Sequence, residues 1–198
     1  MKKKILCVAG IIIFIFGGSY AAAKEILFEE NFDKFEEGEE AGFEVEKELG
    51  MEVQGLIASG EKGKALKVFP VKGVEYKDNI IALRRDMFIP NEETLLTFSY
   101  YLKGVKSLEV LSRDKSIREN CSFTLDKPVY GKWSKVTVKF SELKPKNPEW
   151  KVRDGDEFAN IRFRAEFEPK AKFEDIFIIL DDIKLTIGEE EKSGGGKK

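Results

Sequence analysis

Apolar runs too short for ordinary helices follow one another from residue 26 to residue 187, each closed by glycine, proline or an Asn/Asp cluster. Turn signals recur about every eight to twelve residues, a spacing that favours an all-β sandwich or barrel. The runs are ILFEENF, FEVEKEL, MEVQGLIAS, GKALKVFP, NIIALRRDMFIP, TLLTFSYYLKG, SLEVLSRD, NCSFTLD, KWSKVTVKF, NIRFRAEFE and FIILDDIKLTI. No segment holds helical periodicity over three turns; FSELK, Phe140 to Lys144, reads as one helical turn. TLLTFSYYLKG alternates cleanly, with Leu96, Phe98, Tyr100 and Leu102 on one face and Thr97, Ser99, Tyr101 and Lys103 on the other. In NIRFRAEFE the core parity is Ile161, Phe163, Ala165 and Phe167, so Arg162 and Arg164 project from the opposite face.

FIILDDIKLTI departs from this pattern, being apolar on both faces with two adjacent acids at its centre. Strict alternation puts Phe177, Ile179, Asp181, Ile183, Leu185 and Ile187 together and aims Asp181 into a core. A buried carboxylate is costly unless it is hydrogen-bonded, paired or bound to a metal. Backbone amides, a lysine such as Lys67, and a cation are the alternatives for Asp181.

The chain has 198 residues and a formal net charge of -2, which suits one globular domain and leaves no electrostatic footprint for nucleic acid. It has no histidine, so Ser-His-Asp and Cys-His catalysis and His-ligated zinc are excluded. Lys2, Lys3 and Lys4, the apolar run from Ile5 to Phe16 and the small residues Ser19, Ala21 and Ala23 predict a cleaved signal peptide over residues 1–23. Cys7 lies too early in that run for a lipobox. The mature chain is expected to be secreted or periplasmic, not transmembrane, and monomeric. It keeps one cysteine, Cys121, read as a small buried residue with no disulfide. A single domain is expected over residues 24–188, with a disordered charged and glycine-rich tail over 189–198.

Four segments then occur in a telling order: ILFEENFD, SGEKGKALKV, YGKWSKVTVKFSEL and FIILDDIKL. This order resembles the jelly-roll carbohydrate-binding modules and the wider galactose-binding-like β-sandwiches. The resemblance spans nearly the whole mature chain and implies an antiparallel β-sandwich of jelly-roll type that binds a glycan. It implies that the first and last strands lie close together, and that Trp133 packs near the start of its strand. It also implies a structural calcium, for which Asp181 or Asp182, with Glu29, Glu30 or Asp33, would supply some of the oxygens and backbone carbonyls the rest.

Sugar recognition needs aromatic faces against C–H patches and a few polar groups for the hydroxyls. Tyr101, outward by parity, is the leading candidate. Arg162 and Arg164 would make a polar platform beside it, with cross-strand ion pairing as the plainer alternative. Trp150 lies in the loop KPKNPEWKVRDGD, where an aromatic residue is an unusual placement. Arg113, flanking the RDKSIREN loop, is a rim candidate, and Tyr76 a weaker one. Catalysis is not expected: Glu-x-Asp-x-x-Glu is absent, Glu44 with Glu46 and Glu166 with Glu168 read as solvated pairs, and Asp154 to Glu157 reads as a turn. The expected function is non-catalytic polysaccharide binding, with a structural or adhesion module of the cell envelope as the alternative.

Overall fold

The computed structural model describes residues 25–39, 41–45, 53–71, 80–168 and 170–187. Within them lie β1 (Glu25–Glu30), β2 (Glu44–Val45), β3 (Val53–Ser59), β4 (Lys64–Pro70), β5 (Ile80–Ile89) and β6 (Leu95–Lys103). The chain continues through β7 (Val105–Arg113), β8 (Asn120–Thr124), β9 (Ser134–Lys139), β10 (Lys144–Pro145), β11 (Phe158–Phe167) and β12 (Phe177–Ile187). Sheet I has the order β3-β4-β12-β6-β9, with β1 also paired to β12; sheet II has the order β10-β8-β7-β11-β5-β2. Both are antiparallel, and together they make the expected jelly-roll β-sandwich. The segments expected as signal peptide and tail, with Glu46 and Tyr76, lie outside the described residues.

Alternation places the core where the sequence puts it in β6 and β11. Leu96, Phe98, Tyr100 and Leu102 face inward from sheet I, and Ile161, Phe163, Ala165 and Phe167 from sheet II. Phe98 meets Phe163 edge to face across the two sheets, 4.9 Å between ring centroids. The expected helical turn is a 3-10 turn, Phe140–Glu142. It places Phe140 against Phe158 at 5.0 Å. Each fully buried phenylalanine contributes about 1.5–3 kcal/mol through apolar area removed from water. Cys121 is buried and free, with its thiol pushed up to about 12 by burial and by the nearby Asp114 and Glu119 carboxylates. A single residue, Gly104, carries the chain from β6 in sheet I to β7 in sheet II. Its φ is +64°, and a Cβ there would lie 2.6 Å from the Asp175 carbonyl oxygen, so only glycine fits this corner.

The acids in β12 mark a β-bulge. Before them Ile178 and Leu180 are buried; after them Ile183 and Leu185 are buried. The pairing with β6 moves from Asp181 opposite Ser99 to Lys184 opposite Thr97, so β12 advances three residues while β6 advances two. Asp182 takes up the extra residue at φ +49°, a conformation that aspartate tolerates better than most residues. The bulge lies where the neighbour of β12 changes from β4, paired through Leu180, to β1, paired from Ile183. The first and last strands therefore do lie together. The strict alternation expected for β12 is half wrong: Phe177 and Ile179 face solvent, because the extra residue inverts the parity between them and Ile183.

Candidate functional site

The inversion turns an apolar stretch of β12 outward, beside Tyr101. Leu56 on β3, Lys67 on β4, Ile179 on β12 and Tyr101 on β6 are successive register partners across sheet I. Trp133, just ahead of β9, meets Tyr101 edge-on at 6.0 Å. Phe177 lies parallel to Tyr101, 6.0 Å away with 9° between the ring planes. The Lys67 ammonium sits 4.4 Å from the Phe177 ring centroid and 5.8 Å from that of Phe69. All of these side chains are half-buried on the solvent side of the sheet. The result is an aromatic strip crossing the strands, with one cation in it. It offers ring surface to sugar C–H groups, with the Tyr101 hydroxyl and the Lys67 ammonium as hydrogen-bonding groups.

Tyr101 thus lies outward as expected, but Arg162 and Arg164 do not join it. They project from the outer face of sheet II, with the whole core between them and Tyr101. Parity states only whether a side chain leaves its own sheet inward or outward. On that face Arg162 lies opposite Arg84, Arg84 pairs with Asp86 at 2.7 Å, and Arg164 approaches Glu109 at 3.8 Å. Glu166, one of the acids considered for catalysis, pairs with Lys106 at 2.5 Å. Arg113 is exposed at the end of β7 on the same sheet, opposite Asn120. Trp150, 38% exposed, belongs to the loop between β10 and β11, whose residues Glu149 and Lys151 to Asp154 line a shallow open depression. Trp133, expected as packing near its strand start, packs on the outside of sheet I.

The calcium set is not assembled from the expected residues. The Glu29 carboxylate meets Lys184 at 3.1 Å. Glu30 is buried and accepts from the Phe32 amide at 3.0 Å and the Lys34 ammonium at 2.6 Å. Asp182 is exposed, whereas Asp181 is buried beneath the turn between β3 and β4. Among the described residues no group of three or more His, Cys, Asp or Glu is placed to hold a metal ion. Asp181 is not paired with Lys67, which turns to the aromatic rings; its Oδ1 accepts from the Asp182 amide at 2.7 Å, inside the bulge. Burial pushes the Asp181 carboxyl up to about 6; that hydrogen bond opposes the rise, and the Asp182, Asp33 and Glu61 carboxylates add to it.

The sequence also hid a pair of buried acids at the far rim of sheet II. Asp114 and Asp156 are both buried. Asp114 Oδ1 accepts from the Ser116 and Ile117 amides, and Asp156 Oδ2 from the Arg153 amide. Burial raises the Asp114 carboxyl, the two amide bonds lower it, and Asp156 raises it further. Each acid closes its own turn, and the Lys115 amide, donating to the Glu157 carbonyl at 2.8 Å, ties the turn after β7 to the loop that bears Trp150. The only sequence signal was the Asp-x-Ser order, which suits an Asx turn.

No protein-family model matches the chain, and no curated protein matches it in sequence. Solved structures do. A family 11 carbohydrate-binding module from Clostridium thermocellum, in complex with a β-1,3-1,4-mixed-linked tetrasaccharide, has a TM-score of 0.56 and 16% identity, covering 85% of this chain and 97% of that one. The chain is also similar to part of an exo-β-agarase, with a TM-score of 0.51 and 14% identity over 85% of this chain and 26% of that one. An N-terminal module region of the Clostridium thermocellum endo-1,4-β-D-xylanase 10B, complexed with xylohexaose, gives a TM-score of 0.50 and 11% identity over 82% of this chain and 29% of that one. At such identities the likeness is one of fold: this chain has the jelly-roll β-sandwich architecture found in carbohydrate-binding modules.

Proposed function

We propose that this chain is an exported, non-catalytic module that binds polysaccharide across the outer face of sheet I. The observation that carries the reading is the strip in which Tyr101 is flanked by Trp133 and Phe177, each at 6.0 Å, on the solvent side of the sheet. Aromatic surface held at a sheet face is poorly placed to stabilise the core and well placed to stack on sugar rings. The fold agrees, since a solved module with this architecture carries a tetrasaccharide.

Native gel electrophoresis through immobilised soluble polysaccharides tests the reading. Wild-type protein should be retarded, and Tyr101→Ala with Trp133→Ala should run free while melting at the wild-type temperature. Equal retardation of the double variant would reject this site. The ion-paired outer face of sheet II favours a second reading, a structural or adhesion module of the envelope. Absence of retardation across a broad polysaccharide panel would favour that one.

A further inference from the structure

We propose that the ligand of the sheet I strip is an acidic polysaccharide, one whose repeat bears carboxylate or sulfate groups. The inference rests on the site proposed above and adds the charge of its ligand. Its centre is Lys67. Four lysines are half-buried among the described residues: Lys64, Lys67, Lys139 and Lys184. Lys64 donates to the Phe35 carbonyl, Lys139 pairs with Glu93 and Lys184 with Glu29. Lys67 alone has no oxygen partner among the described residues; its contacts are the faces of Phe177 and Phe69. Those rings hold the ammonium in place without neutralising it. A partly desolvated cation in a fixed position gains most from an oxyanion, which forms a shorter and stronger hydrogen bond than a neutral hydroxyl.

The surrounding charges point the same way. On this face Asp175 is taken by Lys103 at 2.6 Å and Glu93 by Lys139 at 2.5 Å. Lys135, opposite Ser99 on the row next to Tyr101, is exposed and adds a further positive charge. The acids Asp33, Glu61 and Asp182 gather around the buried Asp181 at the far end, by the bulge and away from the rings. The strip is therefore electropositive where the rings are. Lys67 and Tyr101 are register partners of Ile179 on its two sides, so their backbones are two strand spacings apart, about 10 Å. A glycan laid across the strands can stack on Tyr101 and present an anionic group from a neighbouring residue to Lys67.

Affinity electrophoresis with polygalacturonate, a sulfated galactan, and neutral β-glucan and galactan, at low and high salt, tests the proposal. Expected are retention by an acidic polymer over neutral ones, weakening by salt, an approximately tenfold loss in Lys67→Gln, and recovery in Lys67→Arg. Retention by polygalacturonate identifies a carboxylate ligand, and retention by the sulfated galactan a sulfate ligand. If neutral polymers bind as well as acidic ones, or if Lys67→Gln binds as wild type while Tyr101→Ala with Trp133→Ala does not, the acidic ligand is overturned and the site stands. If the aromatic double variant binds as wild type, the site itself falls, and this inference with it.

Discussion

The two outer faces of the sandwich are built on the same alternation and carry different chemistry. The face of sheet I holds Tyr101, Trp133, Phe177 and Ile179 around Lys67. The face of sheet II carries Arg84, Arg162 and Arg164 among Asp86, Glu109 and Glu166. A solvated face needs only charges that satisfy one another, and exposed pairs of this kind contribute little, about 0–1 kcal/mol each. Half-exposed rings gain nothing comparable from water, so their clustering on one face calls for something to cover them. The difference originates in the bulge of β12: without the extra residue at Asp181–Asp182, Phe177 and Ile179 could not face outward while Ile183 and Leu185 face in.

The largest effect that would break this contrast is on binding. Tyr101→Ala with Trp133→Ala should weaken polysaccharide retention by about tenfold or more, as expected for the loss of two stacking surfaces. Arg162→Ala with Arg164→Ala, and separately Trp150→Ala, should change it by no more than about twofold, because none of the three lies on the outer face of sheet I. Affinity electrophoresis ranks the three, and the reverse order would move the site to sheet II.

The next effect is on the bulge. A β-branched residue at a positive φ is strained, so Asp182→Val should lower unfolding stability by about 1–2 kcal/mol, whereas Asp182→Gly should keep it within about 0.5 kcal/mol. Denaturant titration reads both. If Asp182→Val costs nothing, the positive φ is not what sustains the inversion.

A smaller effect follows from Asp181. Its folded carboxyl lies at about 6, above the ordinary 3.8, so the folded state holds the proton more tightly than the unfolded chain. The stabilising contribution is complete below pH 3.8 and is lost as pH rises through about 6. Asp181→Asn, which resembles the protonated form, should match wild type at the acid end of that window. Above it the variant should gain on the order of 1 kcal/mol, allowing for screening by nearby water. Stability curves against pH would show the two proteins diverging; parallel curves would contradict the burial of this acid.

The smallest expected change is none. Glu29 and Glu30 are held by lysines, so EDTA and added calcium should leave the melting temperature where it was. A drop reversed by calcium would instead mean that the carboxylates around Asp181 close on an ion, and Asp181→Asn would then destabilise at neutral pH.

Much of the fold is legible in the sequence. The inward faces of β6 and β11, the turn at Phe140, the burial of Cys121 and the outward Tyr101 all follow from period-two alternation and turn residues. The order of four motifs pointed to the jelly roll. Of the proposed site only Tyr101 is legible in the sequence. Strict alternation puts Phe177 in the core, the family resemblance makes Trp133 a packing residue, and parity alone sets the arginines beside a tyrosine that lies on the other side of the molecule. The one available signal for the bulge was a strand apolar on both faces, interrupted by two acids.

The division has a physical cause. Alternation is local: each residue's side follows from its neighbours in the chain, so the sequence by itself determined where strands run and which side of them is apolar. Which sheet a strand joins, and where an extra residue is absorbed, depend on hydrogen bonds to distant segments. For β12 those segments are β4, β6 and β1, drawn from across the whole chain. Only the tertiary structure could therefore decide that Tyr101, Trp133, Phe177 and Lys67 share one face and that Arg162 and Arg164 occupy the other.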